Sequence, residues 1–342
     1  MAFGAIKWLL PILMVFFSYA IYSLANVFDF RKQVQFKMQE HCVIKKAETF
    51  SHFVKVGETL LASSPQNNAI YHVSESPFSS SQIDLENWPG EPFKPSGITA
   101  FGSNKLFVIN NAKPTVEIFD VVRSQTEVRL IYERTIELAG PFIGQLHSII
   151  AISEDELYIT DAIPDLSTPD DLLSTLLTTW RLVFTKSSSL LHCTKGTTKL
   201  LCAAAFPGSH LQGLYYDGVH IFVADTVSKS VIRLKRKKDG SIRERNRVDL
   251  SFSPIQLQSY HGIVYAVGHA DYYEAFSYNP QNPTVVSGVI AEIKKEKRDW
   301  LSSEVIVEQQ VSGACSVYRS GKTILVGHCH EPSVLVCSID KC

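Results

Sequence analysis

The stretch LQGLYYDGVHIFVA, residues 211–224, holds the pattern on which the fold prediction rests. An apolar run precedes the pair Asp217-Gly218, and a second apolar run follows it. Two such runs on either side of a turn rich in Asp and Gly are typical of an antiparallel β-hairpin. The stretch therefore predicts two neighbouring strands of one sheet.

The same hairpin pattern recurs along the chain. The six copies lie at 53–62, 97–109, 147–160, 211–224, 255–267 and 314–326. Their starts are roughly 45–65 residues apart, which is the spacing of propeller blades. In a propeller, each blade buries both faces against its neighbours and leaves only short edges. We therefore predict an all-β chain with a six-bladed β-propeller over residues 31–342.

Two segments interrupt this pattern. Residues 63–95 are rich in Ser, Pro and Asn, and we interpret them as loops with one short strand at 69–73. Residues 169–184, PDDLLSTLLTTWRLVF, begin with Pro and acidic residues and place Leu and Trp at helical spacing. They predict a short helix packed on the propeller rim. The alternative is an apolar helix face that contacts a membrane or a partner.

The N-terminus contains the uncharged stretch WLLPILMVFFSYAIYSLANVF, residues 8–28. It is long enough to span a bilayer as a helix. We predict that residues 1–30 are an uncleaved signal-anchor. The alternative is a signal peptide cleaved near Ala20 or Ala25, although such peptides have shorter apolar regions.

Seven cysteines offer candidate bridges. A bridge between Cys42 and Cys337 would join the two ends of the closed ring and restrict a very long loop of the unfolded chain. Cys193 and Cys202 flank a turn, so a second bridge between neighbouring strands is open to them. The alternative is that several of these cysteines are buried free thiols.

Two signals disagree about the side of the membrane on which the propeller lies. Basic residues follow the apolar stretch at Arg31, Lys32 and Lys37, which by the positive-inside rule favours the cytoplasm. Cysteine usage favours an oxidising compartment. Since long folded domains are translocated regardless of nearby charge, we predict a lumenal or extracellular propeller on a secretory-pathway membrane, in the endoplasmic reticulum or at the cell surface.

The charge balance excludes one class of partner. Lys and Arg number 33 and Asp and Glu number 34, which gives a net charge of −1. A nucleic-acid-binding protein would need a basic surface. The basic run at 233–238 is local, and we interpret it as a solvated hairpin tip.

Several motifs agree in order and spacing with one known family. They are PSGI (95–98), FVINN (107–111), PTVEIF (114–119), LHSIIA (146–151), the insertion at 169–184, and ILVG (324–327) followed by Cys337. Over residues 31–337 the chain resembles the paraoxonase family of calcium-dependent arylesterases and lactonases. The resemblance implies a six-bladed propeller, an uncleaved hydrophobic N-terminus and a disulfide between the domain ends.

The calcium positions of that family are altered in this chain. They hold His52, Phe53, His147, Ser148, Gln212, Ile255 and Gln256. Calcium takes six to eight oxygen ligands, several of them carboxylates, and this set contains no carboxylate. We therefore predict no calcium. An alternative is that His52, His147 and Gln212 hold zinc or another transition metal.

The catalytic histidine pair of the family is replaced as well. Its positions hold Ser96 and Asn111, which cannot abstract a proton near neutral pH as an imidazole can. We expect no catalytic residue. Asp161 and Asp225 each end a predicted strand, where a polar residue usually caps a turn. His328-Cys329-His330 is not expected to bind metal, because strand alternation separates Cys329 from both histidines.

These features predict a non-catalytic, pseudoenzyme-like protein. The resemblance is to the nematode membrane-anchored branch, which implies a chaperone-like role in the folding, assembly or surface delivery of a membrane protein such as a degenerin-type sodium channel. We expect no cofactor. The alternatives are a metal-dependent arylesterase or lactonase with an altered calcium or zinc site, and a soluble propeller that binds a ligand.

Overall fold

The computed structural model describes residues 14–15, 17–25, 42–124, 127–140, 143–163, 185–186, 188–272, 275, 286–296, 299–308 and 313–338. Residues 14–15 and 17–25 are helical. Within the described residues, no helix has the length and apolar character needed to cross a bilayer. Most of the predicted anchor, and the predicted rim helix at 169–184, lie outside these residues.

Twenty-five β-strands make up most of the described part of the chain. They are β1 (Cys42–Lys46), β2 (His52–Val56), β3 (Thr59–Ser64), β4 (Ala69–Glu75), β5 (Phe78–Gln82), β6 (Leu85–Glu86), β7 (Pro95–Phe101), β8 (Lys105–Asn110), β9 (Thr115–Arg123), β10 (Val128–Ala139), β11 (Gln145–Ser153), β12 (Glu156–Ile163), β13 (Ser188–Lys195), β14 (Leu200–Gly208), β15 (Leu211–Tyr216), β16 (His220–Asp225), β17 (Ser230–Arg236), β18 (Ile242–Asp249), β19 (Ser253–Tyr260), β20 (Ile263–His269), β21 (Gly288–Glu296), β22 (Asp299–Glu308), β23 (Ala314–Ser320), β24 (Thr323–His328) and β25 (Ser333–Ser338).

These strands form antiparallel meanders. Four sheets have the orders β2-β3-β4-β5, β15-β16-β17-β18, β19-β20-β21-β22 and β1-β25-β24-β23. In a larger sheet, the meanders β7–β10 and β11–β14 are joined by a short parallel pairing of Leu138 and Ala139 with Leu200 and Leu201. Strand β6 adds to the outside of β10.

The hairpin predicted at 211–224 is confirmed by β15 and β16. Tyr216 pairs with Ile221, and the Asp217 carboxylate accepts the N–H groups of Val219 and His220 at 2.8 and 2.6 Å. Gly218 takes a φ of +91°, which a residue with a side chain rarely adopts. The Asp-Gly pair thus fixes the turn, and the turn fixes the register of both strands.

The first strand of each meander lies at a sheet edge, and these edge strands form a closed ring. β2 contacts β7, and contacts continue through β11, β15, β19 and β23 back to β2. The ring encloses a central tunnel lined by the free backbone edges of the six strands. This arrangement is a β-propeller.

Apolar side chains fill the space between neighbouring meanders. Between the first two, Val56 and Leu61 pack with Ile98, Leu106 and Phe119, and all five are buried. Fully burying a side chain of this size stabilises the fold by about 1.5–3 kcal/mol. Both faces of a meander are covered in this way, which explains the apolar runs seen in the sequence.

Side-chain hydrogen bonds also cross each boundary in the ring. Four hydroxyl groups donate to carbonyl oxygens: Ser63 to Ser96 and Thr160 to Gln212, each at 2.6 Å, and Thr226 to Pro254 and Ser316 to Phe50, each at 2.7 Å. At the other two boundaries, Asn111 donates to Leu146 O at 2.8 Å, and Gln256 accepts from Val317 N at 2.9 Å. Five of these bonds satisfy a backbone group of an inner edge strand, and the sixth satisfies the carbonyl of Phe50, just before β2. Short polar side chains therefore take the place of a backbone ladder between sheets.

Disulfides close and reinforce the ring. β1 pairs with β25, and Cys42 faces and bonds to Cys337. Cys193 bonds to Cys202 across β13 and β14. Both predicted pairs are confirmed.

A third disulfide, Cys315–Cys329, was not predicted. The pairing of β23 with β24 brings these cysteines together, and the sequence alternation of the 328–330 tract gave no sign of it.

Two sequence interpretations need correction. Residues 63–95 are more ordered than expected, because β4 and β5 continue the first meander and β6 follows. The basic run at 233–238 is mostly strand, since β17 extends to Arg236 and Leu234 is fully buried. The turn itself comprises the residues after Arg236, where Lys237 N donates to Ser241 O.

Candidate functional site: two chambers in the central tunnel

The tunnel contains two chambers. The first has a volume of about 360 Å³ and is lined by nearly all of β2 and by the middle or C-terminal parts of β7, β11, β15, β19 and β23. The second, of about 270 Å³, is lined by the starts of inner strands and by the ends of second strands, including His147, His210, Gln212 and His269. The two chambers therefore meet near the N-terminal ends of the inner strands.

Glycines let the inner strands approach each other closely. A Cβ atom on Gly97 would lie 2.8 Å from Ser148 Cα, and one on Gly213 would lie 2.7 Å from Gln256 Cα. Such distances leave no space for a methyl group. Gly97 belongs to the PSGI motif, so this motif owes its glycine to the contact between β7 and β11.

A chain of three polar side chains separates the two chambers. His52 Nε2 lies 2.9 Å from Ser148 Oγ, and the same hydroxyl lies 3.1 Å from His147 Nδ1. The rings of the two histidines are 5.0 Å apart. His52 lines the first chamber and His147 the second. The structure thus brings His52 and His147, two members of the alternative metal set, close together.

Burial keeps these imidazoles neutral. It lowers the pKa of His52 to about 3, and it lowers the pKa of His147 well below its usual value, with a further lowering from the nearby His52 and His210. A catalytic base works best with a pKa near the working pH. The distance between His52 and Ser148 is that of a nucleophile and its base. Because its pKa is about 3, however, His52 is too weak a base to activate the hydroxyl.

Ser96 and Asn111, predicted to occupy the histidine positions of the similar family, form hydrogen bonds within the ring. Ser96 Oγ donates to Leu146 O at 3.2 Å, and Asn111 Nδ2 lies 2.9 Å from Ser96 Oγ and 2.8 Å from Leu146 O. Ser96 is buried. Both side chains therefore join the second meander to the third.

The remaining calcium positions are divided between packing and hydrogen bonding. Phe53 packs edge-on against Phe50 and near Tyr318. Gln256 accepts the N–H of Val317, and Ile255 lines the second chamber. None of these side chains offers an anionic oxygen.

The donor set of the tunnel does not fit calcium. Among the described residues, neither chamber is lined by a carboxylate. A doubly charged ion needs carboxylate oxygens to offset the loss of its hydration shell. The described part of the chain also has no group of three His, Cys, Asp or Glu side chains placed to hold a metal ion. His147 and Gln212 both line the second chamber, and whether they and His52 bind a transition metal stays a prediction.

Asp161 and Asp225 cap backbone groups, as predicted from their positions. Both oxygens of Asp161 accept from Gly144 N at 3.2 Å, and Asp225 accepts from Ser209 N and His210 N. Burial raises the pKa of Asp161 to about 6, although the bond from Gly144 acts against this. These carboxylates fix the loops that enter the inner strands.

Sequence analysis missed two buried histidines of the second chamber. Burial lowers the pKa of His210 to about 4 and that of His269 to about 3. His269 Nδ1 and Gln212 Oε1 have no hydrogen-bond partner among the described residues. His269 ends β20 as Asp225 ends β16, and Asp161 lies two residues before the end of β12. An alignment of the hairpin copies by their strand ends would have revealed it.

Comparisons with known proteins identify the family. The sequence matches the Arylesterase family model over residues 75–337. No curated protein sequence matches the chain. Two similar solved structures are a protein assigned as a gluconolactonase (12% identity, TM-score 0.53, covering 89% of this chain and 94% of that one) and a luciferin-regenerating enzyme (11% identity, TM-score 0.52, covering 87% and 95%). At such low identity these structures show the shared propeller fold alone. Since the family model matches most of the sequence, the chain belongs to the arylesterase family.

Proposed function

We propose that this chain is a non-hydrolytic, membrane-anchored member of the arylesterase family that assists the folding, assembly or surface delivery of another membrane protein. The observation that carries the proposal is the chemistry of the tunnel. Its described lining has no carboxylate, and Ser96 and Asn111 bond to the backbone of the neighbouring meander. A site without a metal cage or a competent base cannot activate water.

The scaffold suits a docking role. We interpret the ring of edge strands as the inner strands of six blades, which would make the propeller six-bladed. Propellers present broad, rigid faces, and function resides in the surface that a scaffold supports. Such a face can serve a client protein without any chemistry in the tunnel.

Location supports the same proposal. Three disulfides favour an oxidising compartment. The uncharged stretch at 8–28 would tether the propeller to the membrane that enters this compartment. A client reached from that position is itself a membrane protein, and a degenerin-type sodium channel is the client we propose.

The client proposal predicts a change in channel delivery. When the intact chain is co-expressed with degenerin-type channel subunits, we expect it to co-purify with them and to raise their level at the cell surface, measured by surface biotinylation. A variant in which residues 8–28 are replaced by a cleavable signal peptide is the matched control, since it releases the same propeller. If surface levels are equal with and without the chain, the client proposal is wrong.

Residual hydrolysis is the second candidate function, because His52 and Ser148 are in contact. We expect the purified full-length chain to bind no calcium in a metal analysis. We expect its hydrolysis of phenyl acetate, with or without added calcium, to equal that of the Ser148→Ala variant. Tightly bound calcium, or hydrolysis that is lost in Ser148→Ala, would restore the enzyme interpretation.

A further inference from the structure

The first chamber has no assigned occupant. It lies beyond His52 and Ser148, toward the C-terminal ends of the inner strands. Its volume of about 360 Å³ is within the range of small-molecule sites. Four residues at the predicted calcium positions, His52, Phe53, Ser148 and Gln256, line its inner end, and the chamber extends from them toward the opposite end of the tunnel. Lys55 and Gln258 belong to none of the predicted calcium or histidine positions.

Two glutamines that line this chamber accept backbone N–H groups with their side-chain oxygens. Gln256 Oε1 accepts from Val317 N, and Gln258 Oε1 accepts from Arg319 N, each at 2.9 Å. Because a backbone N–H can only donate, the side-chain atom that meets it must be the oxygen. Both residues line the chamber, so their amide N–H groups remain for an occupant.

The charge of the chamber also favours an anionic occupant. Lys55 is the one charged group in its described lining, and no carboxylate is present there. Lys55 Nζ lies 2.9 Å from Glu58 Oε2, but the Glu58 side chain is 80% exposed. An exposed ion pair of this kind contributes little, so the ammonium group is available to a second anion. Farther out, Glu75 accepts the Tyr318 hydroxyl, and Glu292 pairs with Arg319.

Apolar and aromatic side chains form the rest of the wall. Ile98, Leu214 and Leu257 contribute aliphatic surface, and Phe53, Tyr215 and Tyr318 contribute rings. An occupant therefore meets apolar walls and N–H donors. A carboxylate that leaves water needs charged or N–H donors to replace its hydration, and an apolar body gains from burial.

We propose that the first chamber binds a small organic monocarboxylate with an apolar body, held by Lys55 and by the amide N–H groups of Gln256 and Gln258. This site does not depend on whether the protein assists a client, nor on whether it hydrolyses esters. The proposed ligand is an anion, whereas the ion bound in the tunnel of calcium-dependent family members is a cation.

Titration calorimetry with two isosteric probes tests the site. The full-length chain in detergent micelles should bind cyclohexanecarboxylate, and it should bind the neutral cyclohexanecarboxamide at least about tenfold more weakly, since the amide lacks the negative charge that pairs with the Lys55 ammonium. Lys55→Gln should weaken binding of the carboxylate about tenfold, which is 1.4 kcal/mol. Glu58→Gln should strengthen it, because the variant removes the competing anion.

The opposite signs of these two variants separate recognition from structural damage. Both side chains lie at the surface, and circular dichroism melts should show that both variants are folded. Lys237→Gln, on an exposed turn, is the matched control and should leave affinity unchanged. The proposal is overturned by the absence of carboxylate binding, by equal affinity for acid and amide, or by unchanged affinity in both Lys55→Gln and Glu58→Gln.

Discussion

Removing the Cys42–Cys337 bridge should lower the free energy of unfolding by about 5–6 kcal/mol, because this bridge closes a very long loop of the unfolded chain. The two cysteines are 295 positions apart in sequence. The bridge also holds β1 against β25, the pairing that completes the last sheet. The effect is measured by denaturant unfolding of the Cys42→Ala/Cys337→Ala double variant, followed by near-ultraviolet circular dichroism.

The Cys193–Cys202 pair provides a matched control. Its separation is 9 positions, for which the loop-closure model gives only about 2–3 kcal/mol. Both pairs are buried and both join antiparallel neighbours, so loss of packing should be similar in the two double variants. Equal destabilisation would show that loop closure is not the reason for the effect.

The sequence predicted the parts of the fold that are buried on two faces. The hairpins around Asp217-Gly218 and its counterparts can be recognised in the sequence as apolar runs, because the inner and second strands lie between neighbouring sheets. The outer strands are not visible in this way. β5 reads FSSSQ and is mostly exposed, so its place in the sheet depends on pairing with β4 and not on a pattern of its own.

The sequence indicated several residues of the candidate site, but it missed His210 and His269 and did not predict the contacts. The positions of His52, His147, Ser96 and Asn111 could be read from motifs, and so could the absence of carboxylates among the calcium positions. The bonds among them join residues many tens of positions apart, as in the contact of His52 with Ser148. Such contacts depend on how the blades are rotated within the ring, which local sequence patterns do not determine.

Acidification should destabilise this protein before its surface carboxylates titrate. Burial lowers the pKa of His52 and His269 to about 3 and that of His210 to about 4, from 6.5 in the unfolded chain. Below pH 6.5 the unfolded chain therefore takes up protons that the folded chain does not. The stability that these groups supply above pH 6.5 is lost as the pH falls toward their folded pKa values.

The size of the effect follows from the same shifts. At pH 4.5, each of the three histidines should cost about 2–3 kcal/mol, since one pKa unit corresponds to about 1.4 kcal/mol. Asp161 acts in the opposite direction, because its raised pKa lets the folded chain bind a proton near pH 6. It offsets about 2 kcal/mol. The net loss is comparable to the whole stability of a typical domain, so we expect acid unfolding between pH 4 and pH 5, measured by near-ultraviolet circular dichroism.

His269→Gln isolates one of these groups. Its Nδ1 has no partner in the described structure, and the neighbouring His330 further disfavours its protonation. The measured quantity is the difference in unfolding free energy between pH 7.5 and pH 5.0 within each variant, so that any loss of packing cancels. This difference should shrink in His269→Gln and should remain unchanged in His261→Gln, whose side chain is exposed. If the difference is the same in both variants, buried histidines do not set the acid sensitivity. Removing a group that titrates differently in the folded and unfolded chains must change how the unfolding free energy depends on pH.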